Sequence, residues 1–170
     1  MLRPDWRSSQ ASPGYDNSRM GRIDDRLREL GIRLPPPRAP LANYVPARRV
    51  GNLVYTAGQV SGSAEREIKG KLGDSLDVEQ GREAARVCAL NCLAALLTVI
   101  DSLDSVKQLV RVGAFVNSAA GFDQQPAVAN GASDVFVEIF GDAGRHARTA
   151  VGVNELPAGF AVEVELVAEI

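Results

Sequence analysis

The sharpest alternation of apolar and polar positions lies at the end of the chain. Across residues 160–168, Val162, Val164, Leu166 and Ala168 fall on one side, while Glu163 and Glu165, with Glu169 beyond them, fall on the other. A period of two over this length predicts a strand with one buried face. Residues 148–153 alternate as well, with Thr149, Val151 and Val153 set against Arg148, Ala150 and Gly152. Pro157 and Gly159 punctuate the segment between them, so the two strands are expected to pair across a turn over residues 155–159. The favoured register lays both apolar sets on one core, because a slip of one residue buries the charges. That register also brings Arg148 and Glu163 out together on the non-core face.

Upstream the period lengthens. Ile23, Leu27 and Leu30 recur at helical spacing and the run stops at Gly31, which predicts a short amphipathic helix over residues 21–31. Residues 34–40, LPPPRAP, then form an extended linker, since successive prolines exclude a helix and remove backbone donors. A spacer that lays the first helix across the domain is the simpler reading than a recognition motif for a proline-binding partner. Residues 42–62 read as two strands with a turn over 49–52, where Gly51-Asn52 readily adopts positive φ. Residues 65–73 are polar, a loop or weak hairpin.

Asp77, with Gln80 three residues on, is expected to cap a long helix that runs to Ile100. Its first turns are amphipathic. From residue 89 onward it is apolar nearly all round, so it must be covered on more than one side. Residues 106–117 predict a strand with Val110, Val112, Ala114 and Val116 facing one way and Leu109, Arg111, Gly113, Phe115 and Asn117 the other. Residues 122–140 predict a second long helix, with Pro126 tolerated in its first turn, Gly141 as its stop, and Val128, Ala132, Val135, Phe136 and Ile139 as its buried stripe. Asn130 stands mid-helix, where it cannot cap, so its side chain turns to solvent or to a partner. The order of elements predicts an α+β layer, a mixed β-sheet with two helices packed on one face.

Composition narrows the function. The 170 residues, 45% hydrophobic and 24% charged, suit one globular domain. A net charge of −2 with 5% aromatics offers neither the basic footprint nor the stacking platforms of a nucleic-acid binder. No apolar window is long enough to span a membrane. Residues 1–19 are polar with no apolar core of a signal peptide, so they are read as a disordered extension, and Met20 is a natural start. Cys88 and Cys92 share one helix face; with His146 the sole histidine they lack a metal-ligand set, and buried small hydrophobes in a reduced, cytoplasmic protein is the expectation.

Ala147, Arg148 and Thr149, then Leu156 and Pro157, then residues 162–165 follow a pattern A-R-[ST]-x-V…L-P…V-E-[IV]-E. In this the chain resembles the RidA/YjgF family, the reactive-intermediate deaminases also called L-PSP or YjgF-type endoribonucleases. Residues 42–62 agree: Tyr44 stands seven residues before Gly51, as the family's site tyrosine does, and the strand ends in Ala-Gly-Gln. The A-N-Y-V-P wording is closer to a less studied branch of the superfamily. Two departures stand out, Ala57 where many deaminases carry Ser, and Ser133 where the family helix carries Tyr. The resemblance covers residues 38–170, leaving 20–37 as an N-terminal helix and proline-rich linker.

The resemblance implies a homotrimer with pockets between protomers, no metal or organic cofactor, and a small carboxylate metabolite, a 2-imino or 2-keto acid, as partner. It gives Arg148 the substrate carboxylate, Glu163 the activation of water that attacks the imine carbon, and Tyr44 and Asn130 the closing of the pocket. Arg suits the first role because its planar fork makes two parallel charge-assisted bonds. From the strand pattern alone, a cross-strand ion pair between Arg148 and Glu163, worth at most about 1 kcal/mol when exposed, is the favoured reading, and the family motif reverses that preference. A non-catalytic binder on the same scaffold remains open, and the acidic charge argues against RNA cleavage. His146, beside Arg145, reads as a surface residue, and no nucleophile elbow accompanies it. Since residues 1–19 carry no periodic apolar face, their deletion is expected to leave the melting temperature unchanged. A fall of several degrees in the truncated protein would show that this arm packs.

Overall fold

The computed structural model describes residues 21–37 and 42–170. The extension read in residues 1–19, the start at Met20 and residues 38–40 of the linker lie outside them. The described elements run, in chain order, α1 (Arg22–Glu29), β1 (Ala47–Val50), β2 (Leu53–Thr56), β3 (Gln59–Val60), α2 (Val78–Leu96), β4 (Gln108–Asn117), α3 (Gln125–Phe140), β5 (Ala147–Val153) and β6 (Val162–Glu169). The sheet order is β1-β2-β6-β4-β5, with β3 also pairing β6. All pairs are antiparallel except β4 with β5, so the sheet is mixed, as expected.

The helices arise where the pattern places them. Asp77 and Gln80 form a reciprocal capping box at the start of α2, each side chain bonding the other's backbone N–H at 2.8 and 2.9 Å. Both α2 and α3 lie on one face of the sheet, burying Ala85, Cys88, Ala89, Cys92 and Leu96 from the first and Val128, Ala132, Val135, Phe136 and Ile139 from the second. Against them β6 presents Val162, Val164, Leu166 and Ala168, and β4 presents Val112, Ala114 and Val116. The cysteines are buried, their Sγ atoms 3.2 and 3.3 Å from the carbonyl oxygens of Val162 and Val164. Burial pushes the Cys92 thiol up to about 12. Helix α1 crosses the domain edge: Asp104 accepts from the Ile23 N–H at 3.0 Å, and Arg26 Nε donates to Glu138 O at 2.9 Å. No helix among the described residues is long and apolar enough to cross a membrane.

Three expectations about the strands are corrected. First, β5 and β6 do not pair. Strand β4 lies between them, antiparallel to β6 and parallel to β5. Second, the inward set of β5 is the opposite one. Arg148 and Ala150 turn towards α3, and Thr149 and Val151 face out, Val151 with 40% of its surface exposed. At an edge strand the apolar side need not be the core side, because the open face is also partly apolar. Third, β4 changes phase at a bulge between Leu109 and Arg111, so Leu109 is buried with Ala168 and Val110 faces out. One extra residue in a strand shifts every position before it to the other face.

Helices α2 and α3 meet at Gly131. A Cβ there would stand 1.9 Å from the carbonyl oxygen of Arg82, so the backbones approach more closely than a side chain permits. Gly131→Ala should lower unfolding stability by roughly 1–3 kcal/mol, the cost of overpacking against backbone that cannot rotate away. Urea denaturation measures this, and an unchanged midpoint would mean that the helices separate freely.

Candidate functional site

The crossover from β4 through α3 to β5 builds a polar cluster at the sheet edge. Arg148 sits second in β5, on the face that α3 covers. Its Nη1 donates to Asn130 Oδ1 at 2.9 Å and to Ser133 Oγ at 3.0 Å, and its Nη2 donates to the Pro126 carbonyl at 3.3 Å. Asn130 and Ser133 are three residues apart on α3 and so share its face. Two of the five guanidinium donors, one on Nε and one on Nη2, keep no partner among the described residues. Adjacent donors of this kind match a carboxylate.

His146 completes the cluster. Its Nε2 lies 3.0 Å from Ser133 Oγ and its Nδ1 2.7 Å from Gly144 O, while the ring meets Phe136 edge-on at 5.8 Å. Burial holds its pKa below the ordinary value, opposed by the bond to the Gly144 carbonyl and aided by the Arg148 charge. The surface placement expected for His146 is therefore corrected. The signal was present in the numbering: residue 146, just before β5, and residue 148 within it are two apart, and 130 and 133 share a helix face.

Glu163 is on the other side of the sheet. It pairs with Phe115 of β4 and Val60 of β3, whereas Arg148 pairs with Val112, one face away. The expectation that Arg148 and Glu163 emerge together is overturned, and with it the cross-strand ion pair within one chain. Its cause is the phase of β5 described above. Glu163 lies over backbone: a Cβ on Gly58 would stand 1.8 Å from its Oε1, as one on Gly113 would stand 2.7 Å from Glu165 Oε1. Burial, and secondarily the Glu165 charge, raise the Glu163 pKa from its ordinary value.

Tyr44 precedes β1 at the far edge of the sheet and is 49% exposed. Of the four residues singled out from the sequence, one chain thus brings together Arg148 and Asn130 and leaves Glu163 and Tyr44 apart from them. The open face around Glu163 exposes Tyr55, Val50, Val110 and Val151. Among the described residues no cluster of three or more metal-ligating side chains occurs.

The chain matches known proteins along most of its length. Residues 24–170 fit the family described as "YjgF/chorismate mutase-like, putative endoribonuclease". Protein TCP17 of Trypanosoma cruzi is 43% identical over 152 residues, 88% of this chain and 95% of that protein. A protein of unknown function from Agrobacterium tumefaciens, Atu1372, is 37% identical and superposes with a TM-score of 0.80 over 87% of this chain and 92% of its own. A Shewanella oneidensis protein with the same endoribonuclease description is 34% identical, with a TM-score of 0.84 over 87% of this chain and 99% of its own. With this family match over most of its length and relatives above 30% identical along it, the chain belongs to the YjgF/RidA family.

Proposed function

We propose that the protein binds small carboxylate metabolites at Arg148 and hydrolyses 2-imino or enamino acids to 2-keto acids and ammonia, in a pocket between the protomers of a homotrimer. The observation that carries this reading is the half-buried Arg148, held by Asn130, Ser133 and the Pro126 carbonyl with two adjacent donors left over. Those donors fit the two oxygens of a substrate carboxylate. Glu163 acts as the base. Burial raises its pKa, which makes it a stronger base than an exposed carboxylate.

The chemistry needs little more. Glu163 removes a proton as water adds to the imine carbon and passes it to the nitrogen; it then takes the hydroxyl proton of the carbinolamine and gives it to the same nitrogen as the C–N bond breaks, leaving the keto acid and ammonia. Imines already hydrolyse in water, so holding the substrate by its carboxylate beside a positioned base suffices. The opposite facing of Arg148 and Glu163 sets the assembly. The two groups meet only if the edge of one copy reaches the open sheet face of another, which also covers Tyr55, Val50, Val110 and Val151. Closed rings built from one such heterologous contact include the trimer. Tyr44, exposed beside β1, closes the pocket from the neighbouring copy.

Light scattering at micromolar concentration should return three times the 18.1 kDa chain mass. A monomer would sink the shared pocket. With 2-iminobutyrate generated in situ, Arg148→Lys should lose on the order of a hundredfold in kcat/KM, because the ammonium keeps the charge but not the fork. Activity kept by this variant would refute the assignment.

The pH dependence follows from Glu163. Turnover should rise as pH climbs through its raised pKa, because the base must be ionised. Glu165→Gln should move the rise to lower pH only part of the way, burial being the larger cause of the shift. Since the folded pKa lies above the unfolded one, the stability that Glu163 contributes is full below the unfolded value and is lost as pH rises through the folded one. Carboxyl carbon NMR across the titration checks both statements, and a Glu163 midpoint in the ordinary range would remove the assigned base.

A further inference from the structure

Arg148 does not hold its orientation alone. Behind it runs a chain of hydrogen bonds whose donors and acceptors can be assigned one at a time. Gly144 O can only accept, so the 2.7 Å contact places a proton on His146 Nδ1. A neutral imidazole then leaves Nε2 as an acceptor, and the one hydrogen of Ser133 goes to it at 3.0 Å. With its hydrogen committed, Ser133 Oγ meets Arg148 Nη1 as an acceptor, also at 3.0 Å. The other hydrogen of Nη1 goes to Asn130 Oδ1 at 2.9 Å. The imidazole is itself fixed edge-on to the fully buried Phe136. Burial lowers the pKa of that ring and so favours the neutral form that the assignment uses.

We propose that Ser133 and His146 are positioning residues: the Gly144–His146–Ser133 chain fixes the plane of the Arg148 guanidinium and so aims its two remaining donors. The functional meaning of this chain rests on the carboxylate reading above; the chain itself does not. Neither residue touches the substrate. A guanidinium set in place before binding loses less freedom on meeting a carboxylate, so the effect falls on affinity rather than on the chemical step.

Two measurements on the full chain in its native assembly test this. The first needs no ligand. Side-chain nitrogen NMR should show His146 as the Nδ1–H tautomer and slow rotation of the Arg148 guanidinium. In Ser133→Ala and His146→Ala that rotation should quicken, and Ser133→Thr, which keeps the hydroxyl, should restore it. An Nε2–H tautomer, or rotation unchanged in both alanine variants, would overturn the chain.

The second measurement is calorimetric binding of pyruvate. Ser133→Ala should weaken it roughly tenfold with the melting temperature little changed, and 2-iminobutyrate kinetics should show the loss in KM with kcat kept. Combining Ser133→Ala with His146→Ala should cost no more than the worse single change, since both act through one chain. Fully additive losses, or losses matched by a fall in melting temperature, would make the two residues merely structural. If the parent binds no pyruvate and turns over no imine, the carboxylate reading falls, and the NMR result alone decides whether the chain positions Arg148.

Discussion

The parallel pairing of β4 with β5 is the constraint from which the polar edge of this protein follows. Parallel neighbours cannot be joined by a tight turn, so the chain must cross over one face of the sheet, here through α3. Whatever β5 turns towards that face must then be met by α3. At the edge of the sheet the core thins out, and a wholly apolar contact is not required. Arg148 occupies this place half-buried, which is costly unless its donors are satisfied. Asn130, Ser133 and the Pro126 carbonyl in the first turn of α3 accept from three of them. A site with two spare donors is what remains when a structural demand is met only in part.

How far the chain could be read before its structure shows where local information ends. The helix caps, the long strand near residue 110 and the inward face of β6 are local properties, decided by periods and turn residues. The capping box of Asp77 and Gln80 was legible for this reason. Strand order is not local. Residues 148–153 and 162–169 look like neighbours because they are adjacent in sequence and both alternate, yet β4 enters between them from forty residues upstream. Alternation in β5 reveals that its two faces differ and not which one meets the helices. Thr149 and Val151 look like core and lie outside, while Arg148 looks like surface and lies under α3.

The site was legible in the same uneven way. The motif around Arg148 and the mid-helix Asn130 pointed to residues that the fold brings within 2.9 Å of each other. In the sequence Ser133 stands out only as a departure from a family pattern, and His146 reads as a surface residue. The helix face that Ser133 shares with Asn130, and the two-residue spacing of His146 from Arg148, carried the missing information. It became usable only once β5 was known to run beneath α3.

The open face poses the last physical question. It carries Tyr55, Val50, Val110 and Val151 with Glu163 and Glu165 among them, a mixture that suits neither bulk water nor a dry interface. Covering it buries a carboxylate, and an unpaired buried charge is the more expensive part of any such contact. Glu163 lowers that cost in two ways. Its raised pKa means that uptake of a proton costs less than at an exposed carboxyl, and its side chain already lies flat on Gly58 rather than reaching into solvent. A cation arriving from a second copy would offset the remainder. On the opposite side of the sheet, at the edge where another chain can reach it, Arg148 holds two unspent donors. One chain thus carries Arg148 and Glu163 on opposite faces that it cannot join by itself, and the proposed pocket between copies rests on this separation more than on any one residue.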